Sequence, residues 1–255
     1  MKQTSNSLPL SPCPLSPGKG DFTGATAPRP CRGLRPCDPI FKNYIGFSTA
    51  CIKVIFFATG ENVERFYNEA IYALKSGMIV GNHSYSHPGF SSLTLKQCIE
   101  EFEKCEEILE RLYKDSGVER KYKPLRFPYG DKGGENKDAL QKYLQEKGFH
   151  KVNDTNITYE WWKENNLNTD IDTFWTFDFQ EYVIRPDSGF TKDFVWNKMH
   201  DQNPKSGAVL FAENNRHIIL MHDHYETEKM LPKYYKLFIE HCLENGLVFD
   251  EPEFL

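Results

Sequence analysis

From residue 51 onward the apolar positions alternate between two patterns: short continuous runs, and stretches that recur at helical spacing. "CIKVIFFATG" (51–60) is a β-branched and aromatic run closed by glycine, which predicts a buried strand. "ENVERFYNEAIYALKSG" (61–77) sets Val63, Phe66, Tyr67, Ile71 and Leu74 on one helical face, with Gly77 as its stop. Met78, Ile79 and Val80 then predict a second short strand. "LTLKQCIEEFEKCEEILERLYKD" (93–115) opens with a Thr94-x-x-Gln97 capping box. It keeps Leu95, Cys98, Ile99, Phe102, Cys105, Leu109 and Leu112 on one stripe, which predicts a long amphipathic helix. An extended piece at 124–130, a helix at 137–148, a strand at 172–179 and a helix at 191–202 follow. A strand at 217–223 and a last helix at 228–246 lead into "LVF". Strands alternating with helices predict parallel βα units, a sheet or barrel wrapped by helices.

Residues 1–40 do not share this pattern. They hold eight of the fifteen prolines and three of the seven cysteines, with almost no periodic apolar positions. Such a composition buries too little surface to offset the entropy of ordering it, so a disordered or foreign tail is expected there. Residues 41–255 are expected to form the folded domain.

Composition narrows the functional classes. The 39% hydrophobic and 26% charged content describes a chain able to build a core. A net charge of −5 gives no footing for nucleic acid or an anionic membrane. No apolar stretch reaches membrane-spanning length and no signal-peptide core stands at the N-terminus, so a cytoplasmic location is the expectation. The odd cysteine count without CxxC spacing agrees with a reducing compartment. Cys98 and Cys105 fall on the buried face of their helix as small hydrophobes.

The chemistry concentrates where strands end. "VGNHSYSHPGF" (80–90) places His83 and His87 just behind an apolar run, and Pro88-Gly89 keeps the pair in a loop. Arg126 and Tyr129 lie in the extended piece at 124–130, and Asp131 follows it. Asp178 lies at the end of the strand at 172–179 with Glu181 just beyond it, and His222 and Asp223 end the strand at 217–223, followed by His224. In a parallel α/β barrel these positions converge on one mouth. Two histidines, a cation, carboxylates and a further histidine suit metal-assisted hydrolysis, in which a metal polarises a carbonyl and a histidine protonates the leaving group. Singly, each has a plainer reading: loop histidines, an ordinary ion-pair arginine, a core histidine.

Taken together, "VIFFATG", "GNHSYSH", "RFPYG" and "IILMHD", in this order, resemble the polysaccharide deacetylases of carbohydrate esterase family four, the NodB-homology domains. The resemblance covers about residues 50 to 250. It implies a distorted (β/α) barrel and removal of acetyl groups from N- or O-acetylated oligo- or polysaccharides, with Zn2+ or another divalent metal. By resemblance His83 and His87 are metal ligands, and Arg126 orients the catalytic carboxylate. Tyr129 lends its backbone N–H to the oxyanion hole, and His222 is the catalytic acid. The carboxylate that tunes His222 stands open between Asp178 and Glu181, because "WTFDFQEY" replaces the family's Asp-Trp.

One motif departs altogether. The family's Thr-Phe-Asp-Asp strand, source of the general base and the third metal ligand, belongs upstream of "VIFFATG", where this chain reads "RPCRGLRPCDPIFKNYIGFSTACIK". Asp38 is the acid there, in a context unlike a strand. The barrel is therefore expected to lack its first strand. Two functional classes stand: a metal-dependent deacetylase, and a deacetylase-like domain that binds sugar or metal without turnover.

Overall fold

A computed structural model of the chain describes residues 52–213 and 215–255. The predicted tail at 1–40 and Asp38 lie outside the described residues. Strand β1 (Ile55–Ala58) and strand β2 (Ile79–Asn82) pair in parallel, Ile55 opposite Ile79 and Ala58 opposite Asn82. Between them the expected single helix is two: α1 (Gly60–Arg65) and α2 (Tyr67–Lys75), broken at Phe66. Phe66 is buried, and its φ −119° and ψ 43° lie outside the helical region. Thr59 caps α1, its hydroxyl accepting from the Asn62 amide at 3.3 Å.

Helix α3 (Leu95–Ser116) fulfils the longest sequence expectation. Thr94 and Gln97 form the reciprocal capping box, and Gly117 ends the helix in the left-handed conformation at φ 72°. Of the predicted stripe, Cys98, Phe102, Cys105, Leu109 and Leu112 are inaccessible to solvent, while Leu95 and Ile99 are half-buried. The stripe divides between two cores. Cys105, Leu109 and Leu112 pack with Val63, Leu74 and Val80, whereas Cys98 and Phe102 pack with Phe90, Phe127, Leu140 and Leu144.

The remaining helices are α4 (Lys137–Glu146), α5 (Glu160–Glu164), α6 (Lys192–Met199), α7 (Tyr225–Met230) and α8 (Tyr234–Glu244). The predicted helix at 228–246 is broken between α7 and α8, around Pro232, whose ring cannot sit in a helix interior. The predicted strand at 172–179 narrows to β3 (Phe177–Asp178). It runs parallel to β4 (Ile219–Leu220), with Phe177 opposite Ile219. A third core cluster, including Phe179, Val195, Met199, Leu210 and Phe238, lies behind this pair.

Among the described residues the strands thus form two parallel pairs and not a closed ring. Residues of β1 and of β4 line one cavity of about 1030 Å³. Strand ends and loops supply most of the functional candidates, as expected for a barrel of βα units. Among the described residues no helix is long and apolar enough to cross a membrane.

Candidate active site

The end of β2 is held by a buried asparagine. Asn82 is inaccessible, and its Nδ2 donates to the Phe102 carbonyl at 3.1 Å and to Glu106 Oε1 at 2.9 Å. Its Oδ1 accepts from the Ser84 amide at 2.8 Å. Its backbone bridges to the neighbouring segment: the Asn82 amide donates to Pro124 O at 2.9 Å and the Arg126 amide donates to Asn82 O at 3.0 Å. Gly81 permits this close approach, because a Cβ there would stand 2.7 Å from the Pro124 carbonyl oxygen. His83 and Arg126 are therefore fixed relative to one another by backbone hydrogen bonds.

The loop beyond is equally determined. Ser84 and His87 both adopt positive φ, 64° and 63°, a conformation that a non-glycine residue keeps only where its surroundings demand it. Ser84 Oγ accepts from the His87 amide at 3.0 Å. Glu101, reaching across from α3, accepts from the amides of Tyr85 and Ser86 at 3.0 and 2.8 Å and from Ser86 Oγ at 2.9 Å.

These constraints turn the two imidazoles toward each other. His83 Nε2 and His87 Nε2 are 3.2 Å apart, and His83 Nδ1 lies 2.7 Å from the Arg126 carbonyl oxygen. A carbonyl accepts only, so His83 Nδ1 carries the proton and Nε2 presents its lone pair. Two nitrogens at 2.0–2.1 Å from a tetrahedral ion stand about 3.3 Å apart, which this pair matches. Burial, reinforced by the Arg126 charge, holds His83 well below the usual histidine range; His87 is lowered by the same causes. Both imidazoles are accordingly neutral, the form that ligates a metal. Among the described residues no group of three His, Cys, Asp or Glu side chains surrounds a common point, so the pair offers two corners of a coordination shell.

His83, His87, Arg126 and His222 line one cavity of about 400 Å³, together with Glu61, Thr59 and Tyr235. Tyr129 stands beside it, its ring 4.5 Å from that of His87 and 73% exposed, on a turn where its φ is 58°. Arg126 sits over Phe57 at 5.2 Å and beside Trp175 at 5.9 Å. Desolvation lowers its pKa to about 10 against the pull of Asp178 and Glu181. No carboxylate among the described residues comes within ion-pair distance of Arg126.

Of Asp178 and Glu181, Glu181 is the one in contact with His222. Glu181 Oε1 accepts from the His222 amide at 2.5 Å and faces His222 Nδ1 at 3.2 Å. Asp178 instead accepts from the Gln180 amide at 2.9 Å, and acts on His222 only through its charge. Glu181 is completely buried with Oε2 unpartnered, and desolvation pushes its carboxyl up to about 8. Burial, with the Arg126 charge beside it, lowers His222 to about 4. The Tyr234 hydroxyl donates to the His222 carbonyl, closing the cradle from α8. Of the tryptophans, Trp162 is core, its Nε1 donating to Asp154 at 2.8 Å, while Trp175 stacks on Phe174 beside Arg126.

Asn82, Ser84 and Glu101 were not among the sequence candidates. Asn82 and Ser84 flank His83 in "GNHSYSH", which is a readable signal; Glu101 lies on the polar face of a helix and carries none.

A parallel-stranded fold thus brings a histidine pair, an arginine and a carboxylate-backed histidine together at strand ends. A polysaccharide deacetylase family model matches residues 47–152. A peptidoglycan-N-acetylglucosamine deacetylase of Bacillus cereus is 38% identical over 80 residues, 31% of this chain and 27% of that protein. The peptidoglycan-N-acetylmuramic acid deacetylase PdaC of Bacillus subtilis is 31% identical over 133 residues, 51% of this chain and 24% of that protein. The chain thus spans about a quarter of the length of these curated relatives. In structure, the Bc1960 peptidoglycan N-acetylglucosamine deacetylase superposes with a TM-score of 0.56 at 22% identity, covering 84% of this chain and 80% of that one. Residues 47–152 match the polysaccharide deacetylase family, and the fold is that of the solved deacetylase domains, a distorted (β/α) barrel.

Proposed function

We propose that the chain is a metal-assisted deacetylase acting on N- or O-acetylated oligo- or polysaccharide, with N-acetylated amino-sugar glycans as the leading substrate class. One observation carries the reading: two neutral imidazoles converge at 3.2 Å in the same cavity as His222, itself backed by a buried carboxylate. His83 and His87 would hold a divalent ion, Zn2+ being the natural choice for imidazole donors. When bound, that ion would polarise the acetyl carbonyl and acidify a water.

The chain's own groups account for the rest. Arg126 fixes His83 through its carbonyl and adds positive charge to the cavity wall. Tyr129, on its strained turn beside His87, offers its backbone N–H to the carbonyl oxygen as negative charge develops there. Water adds to the acetyl carbon and the C–N or C–O bond breaks. His222, neutral with its Nδ1–H donated to Glu181 Oε1, takes the attacking water's proton on Nε2 and passes it to the departing amine or alcohol, while Glu181 orients the ring. The products are acetate and the free amine or hydroxyl.

A second reading, sugar or metal binding without turnover, has its own support: among the described residues no third ligating carboxylate joins the histidine pair, and no carboxylate comes within ion-pair distance of Arg126. Glu61 and Asp223 are the acidic side chains lining the cavity. Acetate release by the purified chain, with Zn2+ added back and chito-oligosaccharide or acetylated xylan offered, separates the two. Turnover abolished by His83→Ala, and cut on the order of 10²–10⁴-fold by His222→Ala, supports the enzyme. Zn2+ bound through His83 with no acetate released from either substrate supports the binding domain.

A further inference from the structure

A second pair of imidazoles converges away from the cavity. We propose that His200 and His241 form a surface site for a divalent transition ion of the zinc, copper or nickel class, joining the C-terminal ends of two helices. His200 caps the C-terminus of α6, and His241 lies in the last turn of α8. Their Nε2 atoms are 2.8 Å apart, an approach even closer than that of His83 and His87.

The surroundings prepare His241 as a ligand. Asn245 Nδ2 points at its Nε2 from 3.4 Å, and Glu244 Oε2 faces its Nδ1 from 3.9 Å. A donor on one side and a carboxylate on the other favour the tautomer with hydrogen on Nδ1 and the lone pair on Nε2. The rings are held by aromatic neighbours: Trp196 lies 5.2 Å from His241, and Phe211 lies 5.2 Å from His200 and 5.7 Å from His241.

Charge points the same way. Both helices direct the negative ends of their dipoles at the pair, and Glu244 adds a carboxylate, so the location favours a cation. Facing each other, the two Nε2 atoms can share one hydrogen between them; an ion would take a lone pair from each. Parting the nitrogens by about half an ångström gives the roughly 3.3 Å separation of two tetrahedral ligands, a small rotation for the exposed His200 ring. Imidazole donors select zinc, copper and nickel over magnesium and calcium. With two protein ligands, water fills the remaining positions. Because α6 and α8 both contribute to the core cluster behind β3 and β4, an ion here ties together two elements of that layer.

The test uses the full chain stripped with chelator, dialysed against Ni2+ or Zn2+, with Mg2+ as the control, and read by elemental analysis and thermal unfolding. The expected result is one equivalent beyond any held by His83 and His87, with its rise in Tm, that disappears in His200→Ala and in His241→Ala. That equivalent persists in His83→Ala, and Mg2+ does not supply it. The Tm of each variant in chelator, compared with the parent chain, establishes folding; His200→Ala alters an exposed side chain and carries the test if His241→Ala unfolds. Equal Ni2+ stoichiometry in the parent chain and His200→Ala would overturn the proposal, as would loss of all bound metal in His83→Ala.

Discussion

At the scale of single residues, the candidate site depends on groups that never touch a substrate. Glu101 anchors the loop carrying His87 through three accepted hydrogen bonds, one carboxylate serving two amides and a hydroxyl. Glu101→Ala is expected to weaken divalent-metal binding by about 10–100-fold, as removal of supporting groups does elsewhere. Equilibrium dialysis would measure it, and the accompanying stability loss should stay within about 1–3 kcal/mol because the carboxylate is partly exposed. Arg126 acts on His222 by charge. A cation disfavours imidazolium, so removing it must raise the histidine's pKa. Arg126→Gln is expected to move His222 upward from about 4 toward the ordinary range, followed by NMR titration of the metal-free chain. The shift should be partial, because burial is the larger cause and persists.

At the scale of elements, the placement of His83 and Arg126 rests on the contact between β2 and the segment at 124–127. Gly81 is the position that allows it, since an added methyl would meet backbone at 2.7 Å and the Pro124 ring at 2.9 Å. Gly81→Ala is expected to cost about 1–3 kcal/mol in a denaturant titration, the range for overpacking. The same substitution should reduce acetate release or metal binding more than an equally destabilising change in a distant core. The long helix α3 was legible in the sequence because its apolar stripe, capping box and terminal glycine all agree. The strand at 172–179 was not. A run of aromatics reads as a strand, yet Phe174 and Trp175 pack beside the 3₁₀ turn at Pro128–Gly130, where Gly130 makes room for both rings, and ladder pairing is confined to Phe177 and Asp178.

At the scale of the whole molecule, the stretch between α4 and β3 has little regular structure and is tied down by buried charge. Lys151 Nζ pairs with Asp154 at 2.9 Å and donates to the carbonyls of Leu167 and Asp170, while Lys132 pairs with Asp170 at 2.6 Å and Asp172 at 3.1 Å. Breaking such a network leaves a charge stranded in low dielectric. Lys151→Ala is expected to destabilise by about 3–5 kcal/mol. Asp154→Ala should cost a similar amount, and the double variant less than the sum, which a double-mutant cycle by chemical denaturation would establish.

The sequence by itself determined the alternation of strands and helices, the buried stripe of α3 and the strand-end positions of His83, His87, Arg126 and His222. Those features are local, written in period, caps and turn residues. The tertiary structure decided what depends on distant chain segments meeting. It chose Glu181 over Asp178 as the partner of His222, turned His83 and His87 toward each other through the carbonyl of Arg126, and brought Glu101 across from α3 to hold their loop. It also set His200 against His241, two residues with no motif between them. The reason is physical: periodicity reports which face of an element is buried, whereas hydrogen-bond partners and ligand pairs are fixed only when separate elements pack.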